Sequence, residues 1–400
     1  MKSQLLYLLA ASAGIAAELH VPREFSDLSK AVAEAKPGDV VLVAPGTYTG
    51  PLQLKPNVVV RSAGNDDKGK IGLKRAEATI LEGTVEMAEK AVLDGFTVTG
   101  VGKYDEEVWK HHFETRGNEQ PHEHIGAPGK PGVSASVDCE VRNNIVHHIG
   151  YTGIGITGGA PRIVGNICFR NMGGGIGAMR GSQPVIEKNE CFENFYAGIG
   201  CEGSSPLIRG NLCHHNIRAG IGISEGSSPT VTDNTCFQNR RAGIGIRTGE
   251  NTRPLVENNE CRENGMAGIG VEEGAQPTLA KNRLINNTLV GIGVIGGSSA
   301  VITDNDISRE SGMPPMIVVL DRSSAVISGN RVQSAGVAGV LVKGKAEIRD
   351  NHFIGTGPKA GHAIWIHAGA SATHGGNRMK GWRNNITAAP NANVGEIPNR

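Results

Sequence analysis

The sequence predicts an all-β solenoid, and three observations support this fold class. A Gly-Ile-Gly triplet recurs every 22 to 25 residues. Ten asparagines and five of the seven cysteines keep the same period. Between these positions apolar and polar residues alternate, which is the period of a strand. Each repeat is therefore expected to form one coil, with successive coils stacked at ~4.8 Å. The triplets start at Gly153, Gly175, Gly198, Gly220, Gly243, Gly268 and Gly291.

The first 17 residues, MKSQLLYLLAASAGIAA, have the pattern of a secretory signal peptide, with Lys2 before a short apolar stretch. Residues 18–400 are then the exported protein, which predicts a secreted or periplasmic location. No later stretch approaches the ~20 apolar residues that a membrane span needs, so none is expected. The net charge is +1 with scattered Lys and Arg, which gives no reason to expect a nucleic-acid partner.

The solenoid domain divides into four regions along the chain. Residues 25–64 are predicted to form an N-terminal cap, with a short amphipathic helix that Ser26 or Asp27 caps, followed by the first strands. Residues 101–132 are an inserted loop, residues 133–355 are regular repeats, and residues 356–400 are C-terminal coils and a cap. The tail after Ile386 is expected to be irregular and to cover the open edge of the last coil.

Three inward columns follow from the repeat. The triplet isoleucines should fill the core, and the asparagines should form a side-chain amide ladder. The cysteines fall where later coils carry Leu284, Ile307 and Val332, so they are interpreted as small buried hydrophobic residues rather than as a soft-metal site. The column consists of Cys168, Cys191, Cys213, Cys236 and Cys261.

This pattern resembles the right-handed parallel β-helix of the pectin-lyase-like superfamily. Within it, the repeats are most similar to the group with carbohydrate-binding and sugar-hydrolase-type repeats, which includes a periplasmic β-helix protein of nitrous-oxide reductase maturation. The segment FSDLSKAVAEAKPGDVVLVAPGTYTGPLQLKPNVVVRSAG is similar to the N-terminal cap of that superfamily, and AVLDGFTVTG to its early coils. The resemblance implies the fold, whereas the fold hosts many activities.

The catalytic sets that the resemblance would imply are absent from the sequence. There is no cluster of aspartates of the pectate-lyase kind, no Gly-His-Gly of the polygalacturonases and no Asp-Pro-His of the mannuronan epimerases. Whether the chain is an enzyme is therefore left open. A polysaccharide lyase, an epimerase or a glycoside hydrolase would be the candidate classes.

The outer face of the repeats is the first candidate site. If the triplet isoleucine points inward, both glycines should point outward and form a bare strip about 30 Å long. Such a strip suits an extended polymer, whereas the alternative is that the glycines satisfy backbone conformation alone. Charged residues that vary beside the strip are the candidate catalytic residues: Arg180, Glu202, Glu225 and Arg247.

The inserted loop is the second candidate site. In YDEEVWKHHFETRGNEQPHEH, residues 104–124, twelve of 21 residues are Asp, Glu, Lys, Arg or His. Imidazole and carboxylate side chains at this density could hold Zn²⁺ or Cu²⁺, and the alternative is a solvated loop. The candidate metal ligands are His111, His112, His122 and His124. The candidate substrate-binding residues are Tyr104, Trp109, Lys110 and Arg116.

Together these features predict an exported β-helix protein that binds or acts on an extended polysaccharide along the outer face. Uronic-acid polymers are among the candidate ligands. The alternative is a non-catalytic metal-binding, accessory or structural protein that uses the histidine-rich loop. No cofactor is certain, and the sequence leaves the oligomeric state open.

Overall fold

Each coil of the chain consists of three short strands separated by bends, and each strand pairs in parallel with its equivalents in the coils before and after it. The result is a parallel β-helix of about sixteen coils with three sheets of 16, 14 and 14 strands. This architecture is that of a computed structural model, which describes residues 16–120 and 129–398. The predicted all-β solenoid is therefore confirmed.

We number the sheets in the order in which the chain meets them within one coil. The strands of the first sheet are Glu18–Val21, Val40–Val43, Val59–Ser62, Val92–Asp94, Glu140–Arg142, Arg162–Val164, Val185–Glu187, Leu207–Arg209, Thr230–Thr232, Leu255–Glu257, Thr278–Ala280, Ser299–Thr303, Ser324–Ser328, Lys345–Arg349, Ser371–Gly375 and Asn393–Glu396.

The strands of the second sheet are Gly46–Thr49, Thr79–Glu82, Thr97–Thr99, Ile145–His147, Ile167–Phe169, Glu190–Phe192, Leu212–His214, Thr235–Phe237, Glu260–Arg262, Arg283–Ile285, Asp306–Arg309, Arg331–Ser334, His352–Gly355 and Arg378–Lys380. The strands of the third sheet are Leu52–Gln53, Val85–Glu86, Val133–Ser134, Ile154–Ile156, Ile176–Met179, Ile199–Glu202, Ile221–Ser224, Ile244–Ile246, Ala267–Val271, Val290–Val294, Ile317–Val319, Ala338–Val342, His362–Ile366 and Asn384–Ala388.

Three α-helices lie in the described residues: α1, Leu28–Glu34; α2, Lys74–Ala78; and α3, Glu106–Glu114. The predicted N-terminal helix is α1, and Asp27 caps it by accepting a hydrogen bond from the backbone N–H of Lys30 (3.0 Å). Helix α3 lies in the region that the sequence suggested was a loop. None of these helices is long and apolar enough to cross a membrane.

The inward columns form as predicted. The triplet isoleucines are buried, and the five cysteines stand in register in the second sheet as free, fully buried thiols. Desolvation raises the pKa of the Cys191 thiol, as expected of a residue packed in an apolar core. These cysteines therefore act as small core residues.

The asparagines build two ladders rather than one. The first lies at the bend between the first and second sheets, where Asn166 donates to Asn189 Oδ1 (3.0 Å) and to the Val141 carbonyl (2.9 Å). The second lies between the second and third sheets, where Asn216 donates to Asn239 Oδ1 (2.9 Å) and to the Cys191 carbonyl (3.0 Å). Each asparagine side chain thereby supplies hydrogen-bond partners to backbone groups at a bend, where strand pairing does not supply them.

The structure bears differently on the predictions for the two ends of the sequence. Residues 1–15, most of the predicted signal peptide, lie outside the described residues, so export stays a prediction. The prediction of an irregular, covering tail is wrong for the described residues, because Asn393–Glu396 pairs in register with Ser371–Gly375 as a further strand. The backbone of this strand continues the first sheet although its four residues are exposed or only partly buried.

Candidate functional site

The second glycine of each triplet faces outward from the third sheet. The seven stand in register, each one coil from the next, with the buried isoleucines on the opposite face. At ~4.8 Å per coil they form a column about 30 Å long. It ends where Val318 occupies the same register position as Gly293. The column consists of Gly155, Gly177, Gly200, Gly222, Gly245, Gly270 and Gly293.

The expectation that the first glycine also presents a bare outer surface is wrong. A Cβ on Gly220 would lie 2.8 Å from the Gly243 carbonyl oxygen and 2.9 Å from Asn239 Nδ2. The first glycine sits where the chain bends into the third sheet, and its missing side chain makes room for the second asparagine ladder. Only the second glycine leaves the outer face bare.

The bare column is open over three coils. Gly222, Gly245 and Gly270 are partly exposed, whereas Gly155 lies beneath Pro131 and Gly177 beneath Thr152. In the open part small residues broaden the floor, because Ala219 and Ala242 lie beside the glycines. The result is a groove of about 170 Å³ on the third sheet. This volume is below the roughly 300–1,000 Å³ of pockets that enclose a whole small molecule, so the groove suits part of a longer ligand.

Charged side chains form the two walls of the groove. One wall carries Arg218, Arg241 and Met266, and the opposite wall carries Ser224, Arg247 and Glu272. The guanidinium groups of Arg218 and Arg241 thus lie across a floor of glycine and alanine from the guanidinium group of Arg247 and the carboxylate of Glu272. Guanidinium groups stay cationic at every physiological pH, so the described lining carries three positive charges and one carboxylate. The groove therefore favours an anionic ligand.

Glu272 carries the one carboxylate among the described residues that line the groove. Loss of solvent around the carboxylate and the charge of Glu273 raise its pKa, against the lowering effect of Arg247 and Arg241. A carboxylate whose pKa is raised is a stronger base when it is ionised, which suits it to proton transfer.

The described first part of the inserted segment, residues 101–120, docks along the corner between the second and third sheets. Trp109 of α3 is buried against Phe195 and Ile217, and its indole N–H donates to the Glu193 carbonyl (2.7 Å). Further along, Gln120 accepts a hydrogen bond from Arg218 Nε (2.8 Å). The insert therefore lies beside the groove and contacts one of its walls.

The structure separates the four predicted catalytic residues into two register columns. Glu202 and Arg247 share the column of Ser224 and Glu272, next to the glycines. Arg180 and Glu225 lie one residue later, where the backbone turns with φ of +55° at both. Of the four, Arg247 lines the groove; catalytic roles for them stay predictions.

The four predicted substrate-binding residues lie on the insert and do not contribute to the groove lining. Tyr104 donates to Glu106 (2.9 Å), and Trp109 is 4% exposed, with Arg170 over its ring. Lys110 and Arg116 are exposed. The burial of Trp109 suits packing of the insert rather than contact with a ligand.

The predicted metal ligands are only partly within the described residues. His111 Nε2 pairs with Glu119 (3.0 Å), and His112 packs edge-on against Phe195. His122 and His124 lie outside the described residues. Among residues 16–120 and 129–398, no three His, Cys, Asp or Glu side chains are grouped so as to hold a metal ion. A Zn²⁺ or Cu²⁺ site that includes His122 and His124 stays a prediction.

Sequence reasoning missed Arg218 and Arg241 as site residues. The signal was present two residues before the triplet, where successive repeats read YAGIG, RAGIG, RAGIG and MAGIG. The alanine and the second glycine face the same side as this variable residue. The residue that varies before the alanine and glycine of each repeat therefore marks the wall of the groove that carries Arg218 and Arg241.

Solved structures with a similar fold act on polysaccharides. The chain superimposes on the catalytic unit of a GH87 α-1,3-glucanase from Streptomyces thermodiastaticus strain HF3-3 with a TM-score of 0.52, at 15% identity, over 92% of this chain and 67% of that one. A GH87 α-1,3-glucanase variant in complex with tetrasaccharides gives 0.51, at 12% identity, over 93% and 67%. A point mutant of the periplasmic alginate epimerase AlgG gives 0.54, at 14% identity, over 95% and 84%.

At sequence identities of 12–15%, these comparisons establish only that the chain shares the fold of those enzymes. No curated protein sequence matches the chain. The sequence profile described as "Right handed beta helix region" matches residues 129–253 and 242–379, which together span more than half of the chain. The protein therefore belongs to the right-handed β-helix family, with the fold of the pectin-lyase-like superfamily that its repeats predicted.

Proposed function

We propose that this protein is an exported β-helix protein that binds an anionic, uronic-acid-containing polysaccharide along the groove of the third sheet. The observation that carries the proposal is the bare floor of Gly222, Gly245 and Gly270 between walls that bear three arginines. A sugar chain can approach the backbone closely over such a floor, and guanidinium groups bind carboxylates with charge-assisted hydrogen bonds. The polysaccharide-acting enzymes of similar fold support a polysaccharide ligand. Of these, the alginate epimerase AlgG supports a uronic-acid polymer.

If the groove also performs chemistry, its lining favours a lyase or an epimerase over a glycoside hydrolase. Glycoside hydrolysis uses two carboxyl groups that flank one bond, and the described lining contains one, Glu272. Removal of the proton next to a uronate carboxylate instead needs one base and cations that neutralise the developing charge. Glu272 with Arg241 and Arg247 would supply these groups.

Filling the floor tests the binding proposal. The backbone at Gly245 has an ordinary strand conformation, and an added Cβ would lie 3.7 Å from the Ala219 Cβ, so Gly245→Val should fold normally. We expect the wild type to bind polygalacturonate or alginate more tightly than neutral dextran, in a salt-sensitive manner, and Gly245→Val to bind at least tenfold more weakly.

Gly395→Val, in a strand of the first sheet, is the matched control and should bind like the wild type. Calorimetric titration measures the affinities. Equal binding by Gly245→Val and the wild type, or no binding of either uronate polymer, would contradict the proposal.

The chemical step has a separate readout. A lyase would generate an unsaturated uronate, which absorbs in the ultraviolet, and an epimerase would change the uronate composition seen by NMR. Glu272→Gln should abolish either change without abolishing binding. Since the pKa of Glu272 is raised, activity that depends on its ionised form should increase with pH through that pKa.

A further inference from the structure

One wall of the groove depends on contacts from the inserted segment. Gln120, 7% exposed, uses its amide nitrogen to donate to the Phe195 carbonyl. That contact directs its side-chain oxygen toward Arg218, whose Nε donates to it (2.8 Å), and the Gln120 backbone carbonyl accepts a second bond from the same guanidinium (3.5 Å). Both acceptors of one buried residue therefore fix the direction of Arg218.

Gly117 plays the equivalent part for the next coil. Its carbonyl accepts a hydrogen bond from Arg241. Its φ is +64°, and an added Cβ would lie 3.0 Å from Ile217 Cγ2 and 3.2 Å from the Gln120 side-chain oxygen. A side chain would therefore strain the backbone and press on Gln120, so the turn that presents this carbonyl requires glycine.

The two arginines are register partners in adjacent coils, and the Arg241 backbone N–H donates to the Arg218 carbonyl (3.3 Å). The insert contacts them through an amide oxygen and backbone carbonyls, which are neutral. Such contacts orient a guanidinium group and add no negative charge beside it.

We propose that residues 117–120 of the inserted segment set the ligand specificity of the groove, with Gln120 and Gly117 as positioning residues that aim Arg218 and Arg241 at successive carboxylates of a uronate chain. This inference rests on the proposed function for its ligand. It gives the insert a role in ligand recognition, which differs from the predicted role in metal binding. Tyr104, Trp109, Lys110 and Arg116 do not take part in this role.

A double-mutant cycle tests the coupling. Gln120→Met keeps the volume and removes the acceptor, and Arg218→Met removes the guanidinium. We expect each to weaken binding of a polygalacturonate oligosaccharide about tenfold, and the double variant to be no weaker than Arg218→Met alone. Gln238→Met, on the exposed second-sheet side, is the matched control and should bind normally. Losses that multiply in the double variant would overturn the inference.

A second readout needs no polysaccharide. Phenylglyoxal modifies accessible arginines, and peptide mass spectrometry measures the rate at each one. Gln120→Met should speed modification of Arg218, and Gly117→Ala should speed modification of Arg241.

Failure of the proposed function and failure of the positioning role would give different results. If the wild type binds no uronate polymer, the proposed function and the ligand assigned here both fall. If modification rates at Arg218 and Arg241 match the wild type in Gln120→Met and Gly117→Ala, the positioning role falls while the binding proposal stands.

Discussion

At the scale of single residues, two glycines in the same triplet serve different purposes. The first makes room for an asparagine amide and a carbonyl of the next coil, and the second leaves the outer face bare. Their sequence context is nearly identical, so only the positions of the surrounding atoms separate them. This difference predicts that an alanine substitution destabilises the protein at the first glycine and is nearly neutral at the second.

Gly243→Ala should destabilise the protein by about 1–3 kcal/mol through overpacking. Its Cβ would lie 2.8 Å from the Gly268 carbonyl oxygen and 2.8 Å from the Cys261 Cβ. Gly245→Ala, two residues later, should change the free energy of unfolding by about 0.5 kcal/mol or less. Denaturant unfolding followed by circular dichroism compares the two. Equal destabilisation would mean that both glycines are packed alike.

The asparagine ladders predict a second residue-scale effect. Asn239 accepts from the backbone N–H (3.2 Å) and the side chain (2.9 Å) of Asn216, and donates to the Cys213 carbonyl (3.0 Å). Asn239→Ala leaves these buried groups without partners, so we expect a loss of about 2–4 kcal/mol in the free energy of unfolding. Asn251→Ala, at an exposed position, is the control and should be nearly neutral. A neutral Asn239→Ala would show that the ladder contributes nothing to stability.

At the scale of elements, stacked side chains decide what a surface can bind. Phe169, Phe192, His214 and Phe237 stack on the second sheet with ring centroids 4.7–5.1 Å apart. Their faces cover one another, so little more than their edges could contact a sugar. This column therefore acts in packing, and the open face lies on the third sheet instead.

Trp109 is the buried aromatic residue that packs α3 against the coils. Trp109 stacks on Phe113 (4.7 Å between centroids), and Arg170 lies 4.4 Å above its ring. Trp109→Ala should release α3 locally while the coils stay folded, because the coils have their own core. Hydrogen exchange should increase at residues 106–114 and remain unchanged at Ile221–Ser224. Val108→Ala, exposed on the same helix, is the control. Faster exchange throughout the coils would mean that the insert is part of the core.

At the scale of the whole molecule, buried charges reinforce the stack, as Arg309 and Asp94 illustrate. Arg309, 4% exposed, follows the last rung of the second ladder and donates to the Asn287 carbonyl (2.6 Å from Nη2). Near the N-terminal coils, Asp94 receives Arg75 of α2, Arg142 Nε (3.1 Å) and Asn143 Nδ2 (3.0 Å). The second network ties α2 to the first sheet.

This network predicts a pH dependence of stability. Burial alone would raise the pKa of Asp94, but hydrogen bonds from Asn143 and Arg75 and the charges of Arg75 and Arg142 outweigh it and hold the pKa below its usual value. The stabilisation is therefore complete above the unfolded pKa of about 3.9 and is lost as the pH falls through the lower folded value.

Asp94→Asn removes the charge, so we expect a loss of about 3 kcal/mol at neutral pH. The difference in melting temperature between the wild type and Asp94→Asn should shrink below about pH 4. A difference that stays constant with pH would contradict the assignment.

The sequence alone determined the solenoid, its period and the buried isoleucine and cysteine columns, because each depends on local spacing repeated in register. It narrowed the cap of α1 to Ser26 or Asp27, and the structure selected Asp27. It also located the outer face and Arg247. It could not separate the two glycines, because the direction in which a missing side chain would point depends on the bend between sheets.

Only the tertiary structure decided where the insert lies and which charges meet in the groove. Gln120 and Arg218 are 98 residues apart in sequence, and no periodicity relates an inserted segment to the coils that it contacts. Arg218 and Arg241 read as scattered surface charges in the sequence, and they become one wall because the stacking of coils places every twenty-third residue side by side. The repeat fixes the surface, whereas long-range packing onto it forms the site.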